Sequence, residues 1–385
     1  MSTFIFSSES VSRGHPDKIA DQIADAILDA CLEQDSESKV ACEVFIAKGL
    51  VLIAGEITSK AIVDYSAIAR NTIREIGYTC GALGFDYRSC AVIESISEQS
   101  LDIAAGIERE GGAGDQGMMF GFACDETKNL MPLPIELSHK LMKRLNEWRL
   151  EKKVPYLRPD AKCQVSIEYN KNYKPSRIDA VVLSTQHKAD VENGQIVKDM
   201  NVLIQSTLGG YLDRNTRIFI NPSGRFVQGG PSADTGLTGR KLAVDAYGGM
   251  SRQGGGAFSG KDASKVDRSA SYMARYLAKN IVKAGLARRC EIQLAYAIGH
   301  PQPVSMNLET FDTCLVEEND LLDYIVQKID LSPAAIIERF DLKKAIYFPS
   351  SYYGHFGREE FSWEKTDLSV ELAQAFDLAK QKPLA

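Results

Sequence analysis

The chain has 385 residues, 44% apolar and 25% charged, with a formal net charge of −6. That length suits two or three domains with an ample core, and the acidic balance argues against a protein built to coat nucleic acid or a membrane surface. Eight cysteines without C-x-x-C or zinc-type spacing read as reduced thiols; with no signal-like start and no apolar run of membrane-spanning length, the expected compartment is the cytoplasm.

Gly14-His15-Pro16 opens a helix over 17–34, with proline in a first-turn position. Ile19, Ile23, Ile27 and Leu28 form its buried stripe with Ala20, Ala24 and Cys31. Asp17, Asp21, Asp25 and Asp29 make an i, i+4 row, expected to be mostly a solvated face. Asp17 stands apart, in the first turn beside His15 and Lys18.

A hairpin is predicted over 40–47 and 50–57 around a Lys48-Gly49 turn. A two-residue turn makes Glu43 face Ala54 and Glu56 face Ala41, so both glutamates share a sheet face as diagonal neighbours roughly 7–8 Å apart. Val40, Cys42, Val44, Ile46, Val51 and Ile53 form the core face. Carboxylates among Ala, Leu and Phe call for a cation, a polar ligand or a partner subunit. A helix over 60–76 and a strand over 91–97 follow.

Residues 99–117 are rich in glycine and suit a lid or a plain linker equally. Gly112-Ala-Gly-Asp-Gln-Gly117 matches G-x-G-x-x-G but runs into strand-like 118–123, which excludes a dinucleotide turn. The first order of elements then recurs: helix 136–151, hairpin 163–169 and 178–185, helical stretch 198–207 and strand 217–220. It recurs again as helix 265–284, hairpin 290–298 and 304–308, and helical stretch 319–329. Cys42-Glu43, Cys163-Gln164 and Cys290-Glu291 open the three hairpins, offset by 121 and 127 residues. Periods that long mean repeated domains. The expected fold class is α+β: three similar domains of mainly antiparallel sheet with helices on one face, in a pseudo-threefold arrangement. Their expected bounds are 1–111 with a lid loop at 99–111, 112–229, and 230–385 with a phosphate-binding loop.

The chemistry concentrates in Gly254–Asp267, where three glycines allow backbone amides to approach an anion and Lys261 and Lys265 stand at a helix start. Gly255–Lys261 spells G-x-x-x-x-G-K, but Asp262 replaces the magnesium-holding Ser or Thr and no strand leads in, so the cradle is of another kind. Ser264-x-x-Asp267 is a capping-box pattern, compatible with a metal-ligand role for Asp267. Asp234 to Lys241 adds an acid with Arg240 and Lys241, Arg158 to Lys162 adds Asp160 with Lys162, and Arg225-Phe226 sets a cation beside an aromatic. Five cations, Lys162, Arg240, Lys241, Lys261 and Lys265, each offer on the order of 4 kcal/mol of attraction at 4 Å and dielectric 20. That exceeds what a monophosphate needs and points to a polyphosphate with magnesium, for which Asp17 is a sufficient protein donor. No covalent nucleophile arrangement stands out, so direct transfer is favoured.

The chain resembles the S-adenosylmethionine synthetase family, bacterial type, over essentially its whole length. The resemblance rests on Ser8-Glu-Ser-Val-Ser12, Gly14-His-Pro-Asp-Lys-Ile-Ala-Asp-Gln-Ile23, Gly114-Asp-Gln-Gly117, Arg158-Pro-Asp-Ala-Lys162, Asp234–Lys241 and Gly254–Asp267. It implies attack of methionine sulfur on the 5′ carbon of ATP, release of triphosphate and hydrolysis of that triphosphate. It further implies His15 near the leaving oxygen, Asp17 and Asp267 each on a magnesium ion, and Glu43 on a potassium ion. Glu56, Gln99, Asp115, Asp234 and Lys265 would surround methionine, with Lys265 also reaching the phosphates. Lys162, Arg240, Lys241 and Lys261 would grip the triphosphate, and Asp160, Arg225, Phe226, Asp234 and Ala257 would line the ATP site. The implied assembly is a homotetramer, a dimer of dimers with sites shared between subunits. Arg13 stands where the family commonly has an acid, which is expected to change local charge, and 99–111 is short for the family. A kinase with an unusual cradle and a non-catalytic ATP-binding subunit are the rival readings. The first requires a phosphorylated acceptor; the second should lack His15, Asp17 or the lysines, all of which are present.

Overall fold

A computed structural model describes residues 3–98 and 112–376. Gln99 and the candidate lid at 99–111 lie outside the described residues. The strands are β1 (Thr3–Val11), β2 (Lys39–Ala47), β3 (Leu50–Thr58), β4 (Ala91–Ser97), β5 (Gly117–Cys124), β6 (Leu157–Asn170), β7 (Pro175–His187), β8 (Arg217–Ile220), β9 (Gly236–Leu237), β10 (Arg289–Tyr296) and β11 (Ser305–Glu309). The helices are α1 (Pro16–Gln34), α2 (Tyr65–Ile76), α3 (Leu133–Leu150), α4 (Asn193–Leu208), α5 (Leu242–Asp245), α6 (Val266–Lys283), α7 (Glu318–Lys328), α8 (Pro333–Phe340) and α9 (Leu368–Ala375).

The three predicted hairpins form, one in each sheet: β4-β3-β2-β9, β1-β6-β7-β8 and β11-β10-β5; the first two are central, whereas in the third β11 is an edge strand. Pairing is antiparallel except for β3 with β4 and β7 with β8. This is the expected α+β class. In β2 and β3, Glu43 faces Ala54 and Glu56 faces Ala41, as a two-residue turn requires. Val40, Cys42, Val44, Ile46, Val51 and Ile53 are buried, while both glutamates are exposed.

The outer strand of each sheet comes from a different repeat. β1 of the first repeat pairs with β6 of the second, β5 of the second with β10 of the third, and β9 of the third with β2 of the first. The exchange covers a hairpin edge that would otherwise present unpaired amides and carbonyls. The helix of each repeat then lies over the joint: α1 packs on β2 and β9, α3 on β6 and β1, and α6 on β10 and β5.

The described residues fall into two compact units. One holds residues 3–98, Leu133–Gly249 and Ala345–His355; the other holds residues 112–132, Met250–Lys344 and 356–376. In the second unit, α6 buries Ala270, Met273, Ala274, Leu277, Ala278 and Ile281 completely, each large side chain contributing roughly 1.5–3 kcal/mol. No helix among the described residues is long and apolar enough to cross a membrane.

Two charged residues of α6 are buried with the apolar ones because Glu364 meets them. Its carboxylate accepts from Arg275 Nε and Nη2 (3.0 Å each), Lys279 Nζ (2.6 Å) and the Gly357 amide (2.7 Å). Arg275 also donates to the carbonyls of Phe122, Asn129 and Leu130. Burial opposes the charge on Glu364, but the two cations hold its carboxyl below the usual range. Removing one partner strands a buried charge. We expect Arg275→Met to cost about 3–5 kcal/mol in urea denaturation, and Arg275→Met/Glu364→Leu to recover part of that loss.

Candidate active site

In the first unit, the turn that carries His15 is fixed on several sides. The Ser12 hydroxyl donates to the Pro159 carbonyl (2.8 Å) and accepts from the Ala161 amide (2.9 Å), while Tyr78 Oη donates to the Gly14 carbonyl (2.6 Å). Position 14 must be glycine, since a Cβ there would lie 2.3 Å from the Pro159 oxygen. Arg13 turns away from His15: its guanidinium stacks on Tyr352 (4.3 Å) and Phe348 (5.7 Å), and Nε donates to Gln22 (2.8 Å).

His15 is the N-cap of α1, and Pro16 is the first helical residue. Imidazole Nδ1 accepts from the Asp17 amide (3.2 Å), so the proton resides on Nε2. Burial, and next to it Lys241, push the His15 pKa down to about 3. The ring is thus a neutral hydrogen-bond donor at physiological pH.

The acidic row of α1 is not the solvated face that its spacing suggests. Asp17, Asp21 and Asp25 are buried, and Asp29 is half-buried. Asp17 Oδ1 accepts from the Leu237 amide (3.0 Å), and Asp21 Oδ1 from the Gly239 amide (2.9 Å). Carboxylates one helical turn apart match amides two residues apart on an extended segment. Farther along, Asp29 accepts from the amides of Tyr347 and Phe348. Lys18, wholly buried, bonds Asp21 (2.8 Å) and Asp245. The row is buried because amides and a cation satisfy it.

This row delivers Arg240 and Lys241 to the start of α1. Lys241 Nζ lies 2.5 Å from Asp17 Oδ2, and Arg240 Nε lies 3.6 Å from Oδ1. Burial works against the charge on Asp17, but the bonds from Lys241 and Leu237 keep its carboxyl below the usual range. Lys162, on β6, pairs with Glu9 of β1 at 2.6 Å. Asp160 is buried and accepts from the Gly230 amide (2.7 Å). Asp234 is exposed and caps its own turn at the Thr235 amide. Arg225 donates to the Ala189 carbonyl (3.3 Å), and the Phe226 backbone exchanges bonds with His187.

In the second unit, Gly254–Asp267 folds without a leading strand, as its departure from the P-loop pattern implies. Gly256 packs so closely on Asp267 that a Cβ would meet the carboxylate at 2.1 Å. The capping box is not formed. Lys265, not Ser264, stands at the N-cap of α6, and Asp267 turns to Lys261 instead (2.6 Å). Lys265 pairs with buried Asp262 at 2.5 Å, and Asp262 also accepts from the Ser264 amide. Ala257 is half-buried on the same segment. Gly114 docks beside it through the bond from its amide to the Ser264 carbonyl (3.1 Å), and the next residue, Asp115, accepts from the Gln116 amide (2.8 Å).

Every candidate lysine is therefore ion-paired, which tempers the sum of five cations: Lys162 with Glu9, Lys241 with Asp17, Lys261 with Asp267 and Lys265 with Asp262. Among the described residues, no three His, Cys, Asp or Glu side chains gather as a metal cage. Asp17 and Asp267 each present a hard oxygen, which fits a magnesium ion that keeps its waters and takes its remaining donors from phosphate. Glu43 and Glu56 lie exposed among half-buried Ala41, Phe45, Leu52 and Ala54. Tyr78 and Asp245 build the site without any mark in the sequence, and Lys18 and Asp21 enter it in a buried role that their spacing did not suggest. Lys18 lies inside the Gly-His-Pro-Asp-Lys signature, whereas nothing local marks Tyr78.

Burial pushes the Asp160 carboxyl up to about 6. The folded chain holds this proton at pH values where the unfolded chain has lost it, so the group favours folding below its unfolded pKa and that advantage fades as pH rises through about 6. We expect Asp160→Asn to gain on the wild type between pH 4 and 6, by on the order of 3 kcal/mol at most, read from denaturation midpoints across that range.

Models of the S-adenosylmethionine synthetase N-terminal, central and C-terminal domains match residues 3–101, 110–226 and 228–365. The S-adenosylmethionine synthase of Sorangium cellulosum (strain So ce56) is 53% identical over 382 residues, covering 97% of this chain and 90% of that protein. With all three domains matched in order and a full-length relative at that identity, the chain belongs to the S-adenosylmethionine synthetase family.

Proposed function

We propose that the protein makes S-adenosylmethionine from ATP and L-methionine by direct displacement: the sulfur attacks the 5′ carbon, and the intact triphosphate departs and is hydrolysed to pyrophosphate and phosphate. The family match supports the overall reaction. For the mechanism, the observation that carries the reading is a neutral His15, whose Nδ1 is committed to the Asp17 amide, beside Lys241 and Arg240. Its Nε2–H donates to the oxygen on which charge develops as the carbon–oxygen bond breaks. Preorganised donors of this kind, which need no reorganisation, lower such barriers most.

Lys162, Arg240, Lys241 and Lys261 hold the triphosphate, and Lys265 serves both phosphate and methionine. Asp160, Arg225, Phe226, Asp234 and Ala257 line the nucleotide, while Glu56, Gln99, Asp115 and Asp234 hold methionine and set its sulfur in line. Magnesium bound at Asp17 and Asp267 would screen the phosphate charge, and potassium would bind at Glu43. The apolar surroundings of Glu43 and Glu56 support a covered sheet face, consistent with a homotetramer built as a dimer of dimers. The repeats 1–111, 112–229 and 230–385 are assigned as its domains, and eight unbridged thiols suit a cytoplasmic setting.

Incubation with ATP, methionine, magnesium and potassium should yield a sulfonium product together with pyrophosphate and phosphate. A phosphorylated acceptor in their place would overturn the reading. His15→Ala and Lys265→Ala should each lower kcat by at least about 100-fold with an unchanged circular dichroism spectrum, and near-normal turnover in either would remove that residue from the mechanism.

A further inference from the structure

Lys241 and Lys261 make the same contact at unrelated points of the chain. Lys241 Nζ lies 2.5 Å from Asp17 Oδ2, and Lys261 Nζ lies 2.6 Å from Asp267 Oδ2. Each carboxylate is also held on its other side. Asp17 Oδ1 takes the Leu237 amide and lies 3.6 Å from Arg240 Nε, and the Asp267 carboxylate lies against Gly256, where a Cβ would sit 2.1 Å from Oδ1 and 2.5 Å from Oδ2. In both, a lysine holds the place at Oδ2 that a metal ion would take. Lys265 and Lys162 differ. Asp262 is a buried structural acid tied to the Ser264 amide, and Glu9 with Lys162 is a half-exposed cross-strand pair.

We infer that Lys241 and Lys261 are exchangeable placeholders, each keeping a metal carboxylate charge-paired and crossing to phosphate when a divalent cation and a polyphosphate arrive together. The inference rests on the proposed roles of Asp17 and Asp267. A cation arriving alone must displace an ammonium and leave it unpaired beside a doubly charged ion, which like-charge repulsion opposes. A polyphosphate arriving alone meets lysines whose charge is already spent on carboxylates. Together, the cation takes the carboxylate and the freed ammonium takes the phosphate, and all four charges are paired. Binding of the two is then coupled and, by linkage, reciprocal.

The test titrates Mn2+ as a magnesium substitute, reading free ion by electron paramagnetic resonance, with and without a diimido analogue of tripolyphosphate and with correction for chelation by the free analogue. For the wild type, Mn2+ affinity should rise on the order of tenfold or more with the analogue. Lys241→Met and Lys261→Met should each bind Mn2+ alone about tenfold more tightly than wild type and show weaker coupling. Asp17→Asn added to Lys241→Met should abolish that gain. Unchanged or weaker Mn2+ binding in both lysine variants, with wild-type melting temperatures, would overturn the exchange. The functional reading fails separately: wild type making no sulfonium product rejects it, whereas product formation with unaltered Mn2+ binding in the variants rejects the exchange alone.

Discussion

Asp17, Asp21 and Asp29 lie along one line of α1, and each accepts backbone amides from a segment more than 200 residues away in the chain. A helix offers carboxylates every turn, and an extended strand offers outward amides every second residue; the two spacings nearly coincide. Because of that match, residues 237–239 are clamped to the helix that begins at His15, while the adjacent amides of Tyr347 and Phe348 both fall on Asp29. Lys18, sealed between Asp21 and Asp245, secures the far side of the first segment. Arg240 and Lys241 reach the first turn of α1 as a consequence.

The exchange of outer strands works at a larger scale in the same direction. Each repeat supplies a hairpin and a helix, yet completes its sheet with a strand from another repeat. A hairpin with one bare edge is a marginal unit, so no repeat closes its core by itself. The exchange also determines where loops emerge: β1 runs directly into the Ser12–His15 turn, and β9 runs directly into Arg240 and Lys241.

Electrostatically, each cluster is close to self-neutralised. Lysines that would repel one another in isolation are each balanced by a carboxylate within 2.6 Å. This keeps partly buried ammonium groups from standing unpaired, which would be costly. It also means that attraction for phosphate depends on what happens to the carboxylates, and not on a simple count of positive side chains.

The repeat of helix and hairpin, the register that sets Glu43 opposite Ala54, and the strand at 117–124 were all legible in the sequence, since periodicity and turn length act over a few residues. So were the segments that carry His15, Asp17, Lys241 and Lys265, because glycine and charge in close succession are local marks. β1, β9 and α8 were not read: β9 spans only Gly236–Leu237 and owes its existence to its partner β2. The capping box at Ser264 failed because Asp267 found a stronger partner in Lys261, and the acidic row of α1 looked solvated because its partners are amides, which leave no trace in side-chain pattern. What the sequence alone determined was therefore which elements exist and which motifs are present. Only the tertiary structure decided which charges are buried and with whom they pair, since burial and hydrogen bonding depend on neighbours hundreds of residues away.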